Sequence, residues 1–255
     1  MIIKYFLAVA FVITFSMTST VATNPIMITV SSDMNKVIFD GRWSHETEWK
    51  RSSLDTLSYD DGTYIQLRTA HQDNFIYVFV DAVSDIYLDK GIDGTIVCFD
   101  TNNDKSLLPD SNDYCFVATL DEREPFVLQG GSLESNDHLI KISNPDGFIG
   151  LSSASDENDR YSKTPHTSYE FRIPTNLVGR SDVYGFYLGV YDAYSNKTYS
   201  WPQDLISDSI LKVPAPSKWG ELVSLDKSLP EFEYPMLAIL AAFSLSAYLT
   251  KFRYR

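Results

Sequence analysis

Basic residues are scarce in this sequence. Its 255 residues hold 21 Lys and Arg against 34 Asp and Glu, a formal charge of −13. Nucleic-acid backbones are bound by clustered cations that release counterions, so nucleic acid is excluded as a partner. Histidine is scarcer still, with four residues far apart in the chain. The run His45-Glu46-Thr47-Glu48 lacks the second histidine of a zinc-protease helix, and no Gly-x-Ser-x-Gly elbow occurs. An enzyme is therefore not expected. A glycosidase would need two carboxylates roughly 5–9.5 Å apart in a cleft, a distance that sequence does not encode. There is no internal repeat and, before residue 234, no long helical period. What the chain does have is 44% hydrophobic and 14% aromatic residues. That is enough to build the core of one or two domains and too much for a disordered or low-complexity chain. An acidic surface of this kind stays soluble and collects cations.

The two ends set the compartment. Lys4 precedes an apolar run over 5–15, and small and polar residues follow as far as Ala22. A basic start, a short apolar centre and small residues at Thr20 and Ala22 predict a secretory signal peptide over 1–22, cleaved after Ala22. The alternative, a short membrane anchor, wants a longer apolar run. Residues 234–250 carry no charge, and Lys251, Arg253 and Arg255 follow in a basic tail over 251–255. A helix of that length reaches about 25 Å, a short transmembrane helix whose basic tail holds the end in the cytoplasm. Residues 23–225 are then expected on the extracellular face of the cell membrane, with 226–233 as a tether. Within the tether, Pro230-Glu231-Phe232 resembles the Pro-Glu-Phe motif of archaeal C-terminal sorting signals. That resemblance implies an archaeosortase-type processing enzyme as a partner and a lipid anchor in place of the helix. A plain single-span anchor is the alternative.

Strand patterns dominate between the ends. Residues 64–68 and 169–173 alternate apolar and polar, and 75–80 are apolar on both faces, as in a strand covered on two sides. Further runs lie at 26–30, 95–99, 114–120, 126–129, 138–142 and 185–191, with a last strand within 211–228. Turn-rich stretches such as Asp60-Asp61-Gly62 and Asn144-Pro145-Asp146-Gly147 separate them. Roughly nine to eleven short strands predict an all-β fold, an antiparallel β-sandwich of the immunoglobulin-like or jelly-roll kind. Cys98 and Cys115 fall in two of the strands, on either side of the turn-rich stretch 100–113. If those strands pair as a hairpin the thiols are neighbours. Outside the cell a disulfide, worth about 3 kcal/mol, is then expected rather than two buried thiols.

Five blocks stand in a telling order. They are Phe39-Asp40-Gly41-Arg42-Trp43 with Glu48-Trp49; Asp73-Asn74-Phe75-Ile76-Tyr77-Val78 with Asp85; Gly94-Thr95-Ile96-Val97-Cys98-Phe99-Asp100 with Asn102-Asn103-Asp104; Tyr169-Glu170-Phe171-Arg172-Ile173-Pro174 with Leu177 and Gly179; and Gly185-Phe186-Tyr187-Leu188-Gly189-Val190-Tyr191-Asp192, ending near Trp201. Together, over about 37–203, they resemble the family 9 carbohydrate-binding module of the DOMON-like group. The resemblance implies a non-catalytic sandwich that binds carbohydrate or a cell-surface glycan. In its sugar-binding members a pair of aromatic rings sandwiches a terminal sugar, while amide and charged side chains hold the hydroxyls.

The candidate rings follow from strand alternation. Tyr187 and Tyr191 share the face opposite Phe186, Leu188 and Val190, and Tyr194, Tyr199, Trp201 and Gln203 come next. Flat, rigid rings with polar tips suit the faces of sugars. The alternative is that these rings fill the outer face of a sheet, and Trp43 and Trp49 are expected in core and rim. Asn196-Lys197-Thr198 is the one glycosylation sequon of the external part, and a glycan on Asn196 would shield the loop 194–201.

Asp100, Asn102 and Asp104 alternate at i, i+2 and i+4, and Asp110, Asn112 and Asp113 follow. Six to eight such oxygens would hold a structural Ca²⁺, although the glycine and closing glutamate of an EF-hand are missing. The alternative is a solvated acidic turn. Two rival functions stand beside sugar binding. One is a structural or adhesive surface protein that uses the fold as scaffold. The other is a haem-binding DOMON-like electron-transfer domain, which needs axial ligands from His, Met or Lys although the external methionines are only Met27 and Met34.

Overall fold

A computed structural model of the chain describes residues 24–121, 124–134, 138–203, 205 and 212–225. The expected signal peptide, the motif Pro230-Glu231-Phe232, the helix over 234–250 and the basic tail lie outside the described residues. Among the described residues no helix is long and apolar enough to cross a membrane.

The strands are β1 (Ile26–Val30), β2 (Ser53–Ser58), β3 (Tyr64–Gln72), β4 (Phe75–Ala82), β5 (Gly94–Asp100), β6 (Asp113–Thr119), β7 (Phe126–Gln129), β8 (Ile140–Ile142), β9 (Ile149–Ala154), β10 (Thr167–Pro174), β11 (Val183–Asp192), β12 (Lys197–Trp201) and β13 (Gly220–Ser224). One sheet runs β8-β7-β6-β5-β11-β13-β1 and the other β1-β3-β4-β10-β9. Strand β1 belongs to both: residues 26–28 pair with β13 and residues 29–30 with β3. Strand β12 takes the part of the β11 edge that β13 leaves free, and β2 does the same for β1 along β3. The expected all-β sandwich is present, with one correction to its antiparallel reading. Strand β1 is parallel to both its neighbours. No short hairpin ties it to either partner, so nothing local imposes an antiparallel direction.

Alternation explains the layers. Ile76, Val78 and Val80 of β4, Val97 and Phe99 of β5, and Phe186, Leu188 and Val190 of β11 meet in the core between the sheets. The opposite faces of these strands are covered too. Tyr77 and Phe79 lie under Met34, Trp43 and Trp49 of the segment before β2, and Ile96, Cys98 and Tyr187 lie under Trp219. The doubly apolar run 75–80 is therefore a strand with a roof on each side. Each fully buried side chain of this size contributes about 1.5–3 kcal/mol. Cys98 and Cys115 stand directly opposite each other in the β5–β6 ladder and are joined by a disulfide, as expected.

The roof over β4 is fastened by one carboxylate. Both oxygens of Glu170, buried in β10, are in use. Oε2 accepts from the backbone N–H of Asp40 and Gly41, and Oε1 from the Trp49 indole. Burial pushes this carboxyl up to about 8 against the pull of its N–H donors. Gly41 sits at φ 85°, and a Cβ there would lie 2.4 Å from the Ser152 backbone, so only glycine fits. Strands β2 (SLDTLS) and β9 (IGLSSA) were not legible as strands. Their serine-rich sequences lack the pattern, and their neighbours β3 and β10 hold them by six registered pairs each.

Candidate functional site

Strand β5 is seven residues long and pairs with β11 from Gly94↔Tyr191 to Asp100↔Gly185. The two ends of the sandwich are thus separated by about 20 Å of strand. The end of β11 and the start of β5 form one functional candidate, and the turn between β5 and β6 forms another.

At the first end, the loop between β4 and β5 meets the turn between β11 and β12. Tyr87 from the loop and Tyr194 from the turn stack face to face, with ring centroids 3.7 Å apart and planes 12° apart. Both are exposed, at 51% and 64%, and Ile86 and Ile92 of the same loop are about half exposed. Behind the rings lie Asp85, Asp93 and Asp192, with a carboxylate oxygen from each within 4.8 Å of the others. Asp93 ties the two loops together, accepting from the backbone N–H of Ala193 (2.9 Å) and of Asp89 (2.5 Å). Asp85 accepts from the Thr167 hydroxyl on one oxygen, and its other oxygen is buried without a partner. Burial, with the neighbouring Asp93 and Asp192, pushes the Asp85 carboxyl up to about 7. The cavity beneath, lined by Ser84, Asp85, Val190, Asp192 and Tyr199 among others, holds about 20 Å³. That is room for a water and not for a sugar, so a ligand here must sit on the rings from outside.

The other expected ring residues are less accessible. Tyr187 is 1% exposed, roofed by Trp219 at 6.3 Å, and Tyr199 and Trp201 are each 7% exposed in the core between the sheets. Trp201 fits only because residue 220 is glycine, where a Cβ would lie 2.1 Å from the indole. Tyr199 packs edge-on against Tyr59 and its hydroxyl donates to Asp61. Tyr191 is half-buried and its hydroxyl donates to Asn196 Oδ1. Gln203 is exposed and donates to the Ser58 carbonyl. Asn196, the sequon residue, is exposed two positions after Tyr194. Of the expected set, then, Tyr194 alone offers an open ring face beside a second ring. Its partner Tyr87 was missed by sequence reasoning. The available signal was an aromatic two residues after Asp85, in the loop that follows β4.

At the second end the acidic turn is closed largely by its own hydrogen bonds. Asp100, fully buried, accepts from the backbone N–H of Asp104 and Lys105. Asp104 Oδ2 accepts from the Asn102 side chain, and Asp110 from the backbone and side chain of Asn112. Asp113, paired across the ladder with Asp100, accepts from Asp110 N–H, and its Oδ1 and the Asn112 Oδ1 are buried without partners. Burial, opposed by the Asp110 N–H and aided by Asp100 and the other turn carboxylates, pushes Asp113 up to about 7. A larger groove of about 380 Å³ lies between β6 and β9, but Thr119, Asp121, Glu124, Pro125, Leu151 and Ser152 give it no aromatic face. Two of the candidate haem ligands are engaged in the fold. Met34 is buried in the roof over β4 and His166 is bonded to Asp81.

No protein-family model and no curated protein matches the chain. Among solved structures it is similar to a family 9 carbohydrate-binding module from Caldicellulosiruptor kristjanssonii in complex with cellotriose, at 15% identity and a TM-score of 0.48, over 79% of this chain and 93% of that one. A family 9 module from the same organism in complex with glucose aligns at 15% identity and a TM-score of 0.48, over 79% and 95%.

Proposed function

We propose that this chain is a non-catalytic carbohydrate-binding domain held on the outer face of the cell membrane, taking sugar on Tyr87 and Tyr194. The observation that carries the reading is the exposed, stacked pair of tyrosines at one end of a rigid sandwich. Their inner faces cover each other, so a sugar packs on an outer face, or the rings part to roughly 7–8 Å, two carbon contact distances. Asp192, half-buried beside Tyr194, is the carboxylate best placed to accept from a sugar hydroxyl. The ordered motif blocks of the sequence support the same reading. A glycan on Asn196 would stand over this surface and weaken sugar binding.

Anchoring rests on the sequence of the two ends: a secretory signal over 1–22, and either a span at 234–250 or a lipid added after archaeosortase-type cleavage near Pro230-Glu231-Phe232. A structural calcium on Asp100, Asn102, Asp104, Asp110 and Asp113 belongs to the same reading, and the three unpartnered oxygens in that turn, on Asn103, Asn112 and Asp113, favour it. The test is a glycan array probed with the full chain in mild detergent. Saturable binding to at least one glycan is expected, lost in Y87A/Y194A. A folded chain that binds none leaves a scaffold protein.

A further inference from the structure

The connection between β9 and β10 carries a second, fully buried group of side chains. Asp81 near the end of β4, Asp159 in the connection and His166 at its close are 0%, 3% and 0% exposed. One ligand-type atom from each lies within 4.8 Å of the others. Both ring nitrogens of the histidine face oxygen. Its Nδ1 lies 2.8 Å from the Thr164 carbonyl, which can only accept, so Nδ1 carries a hydrogen, and a second hydrogen lies between Nε2 and Asp81. Ser155 Oγ, 2.9 Å away, braces the same nitrogen. Nε2 is therefore the nitrogen turned towards the carboxylates, 2.6 Å from Asp81 Oδ1 and 3.8 Å from Asp159 Oδ1.

Two features are left unbalanced. Asp81 Oδ2 and Asp159 Oδ2 are buried with no hydrogen-bond partner, although Asp159 Oδ1 accepts from the backbone N–H of Tyr161 and Ser162. Buried unmet acceptors are costly. Two carboxylates also face one imidazole, so even a protonated ring leaves a negative charge away from water. Among the described residues the nearby cations are engaged elsewhere, Arg160 over the Trp43 ring. Arg68 donates to Tyr161 and to Trp49 and Ser52, and Arg42 pairs with Asp40 and Asp156.

We propose that Asp81, Asp159 and His166 form a buried site for a first-row divalent cation of the zinc type, which pins the β9–β10 connection to the end of β4. One such ion neutralises both carboxylates, and it gives a partner to each carboxylate that turns its unmet Oδ2 to it. Ligands at about 2.0–2.2 Å around a tetrahedral ion stand about 3.3–3.5 Å apart. Nε2 now stands 2.6 and 3.8 Å from the two Oδ1 atoms, and all three ligand-type atoms lie within 4.8 Å of one another, so the groups are already gathered for an ion. A Nδ1–H bonded to a backbone carbonyl is the outer contact that orients a metal-binding imidazole. One nitrogen with two carboxylates suits zinc or its neighbours, whereas calcium prefers six to eight oxygens. The site is independent of the sugar reading and is separate from the acidic turn.

The test uses the full chain, stripped with a chelator and titrated with zinc alone. One equivalent is expected to bind, raising Tm by about 5 °C at a hundredfold excess over Kd, with no such rise at equal calcium. In ¹⁵N spectra the His166 Nε2 resonance is expected to shift while Nδ1 keeps its proton. D159N, which keeps Oδ1 as acceptor for the two backbone N–H groups, is expected to lose the zinc response, and D104N in the acidic turn to keep it. A folded chain that takes up no zinc overturns the proposal, as does zinc uptake that leaves the His166 ring unmoved. The ring measurement needs only the unmodified chain, so it decides the matter even if D159N does not fold.

Discussion

The two ends of the sandwich are both acidic, yet they are built differently. At the β5–β6 turn, carboxylates and amides face inward and bond chiefly to one another and to the turn's backbone. At the opposite end, Asp93, clustered with Asp85 and Asp192, ties two loops together, and a pair of tyrosines stands out to solvent. The difference teaches that a charge cluster in a sequence says little about binding until it is known what the charges hold. One cluster organises a turn, and the other organises a presenting surface. Aromatic residues divide in the same way, since Tyr187, Tyr199 and Trp201 support the fold while Tyr87 and Tyr194 stack on each other at the surface.

The sharpest break in that comparison lies between a buried ring and an exposed one. Trp201→Ala is expected to lower the unfolding free energy by about 3–5 kcal/mol, and Tyr194→Ala by less than about 0.5 kcal/mol, in denaturant titrations. Next in size, C98S/C115S removes the cross-link that closes the acidic turn and is expected to cost about 3 kcal/mol while leaving sugar binding at the far end intact. The two ends then share a pH response. Asp85 and Asp113 are each raised to about 7, so each holds its proton more tightly folded than unfolded. Their contribution is full below about pH 4 and is lost as pH rises through 7, about 2 kcal/mol together after allowance for solvent screening. Thermal melts across this range should lose part of that pH dependence in D85N, part in D113N and most of it in the double variant. Smaller than the pH response is the effect of calcium at the acidic turn, about 1 kcal/mol at millimolar concentration and absent in D104N.

Much of the fold was legible because the central strands advertise themselves. Strands β4, β5 and β11 are apolar on both faces, and a run of that kind has few other uses. The motif blocks were legible too, and two of them also hold the fold: Asp40-Gly41, Trp49 and Glu170 are one hydrogen-bonded clasp. The site was read less well for a physical reason. Alternation assigns Tyr187 to a face, but the residue that covers that face, Trp219, comes from far along the chain. Trp201 is admitted to the core by Gly220, another distant residue. Tyr87 lies in an irregular loop where no period exists to mark it, and its stacking on Tyr194 depends on the Asp93 bonds that join the two loops. The pairing of Asp81 with His166 is equally silent in sequence, since 85 positions separate them.

The most direct test of the central claim is calorimetric titration of the full chain with soluble mono- and oligosaccharides, comparing the unmodified protein with Y87A, Y194A and D104N. The account predicts saturable binding that weakens about tenfold in either tyrosine variant, an aromatic contact of about 0.5–1.5 kcal/mol, and is unchanged in D104N. Binding that survives loss of both tyrosines, or that disappears in D104N, would contradict it and move the site away from this end of the sandwich.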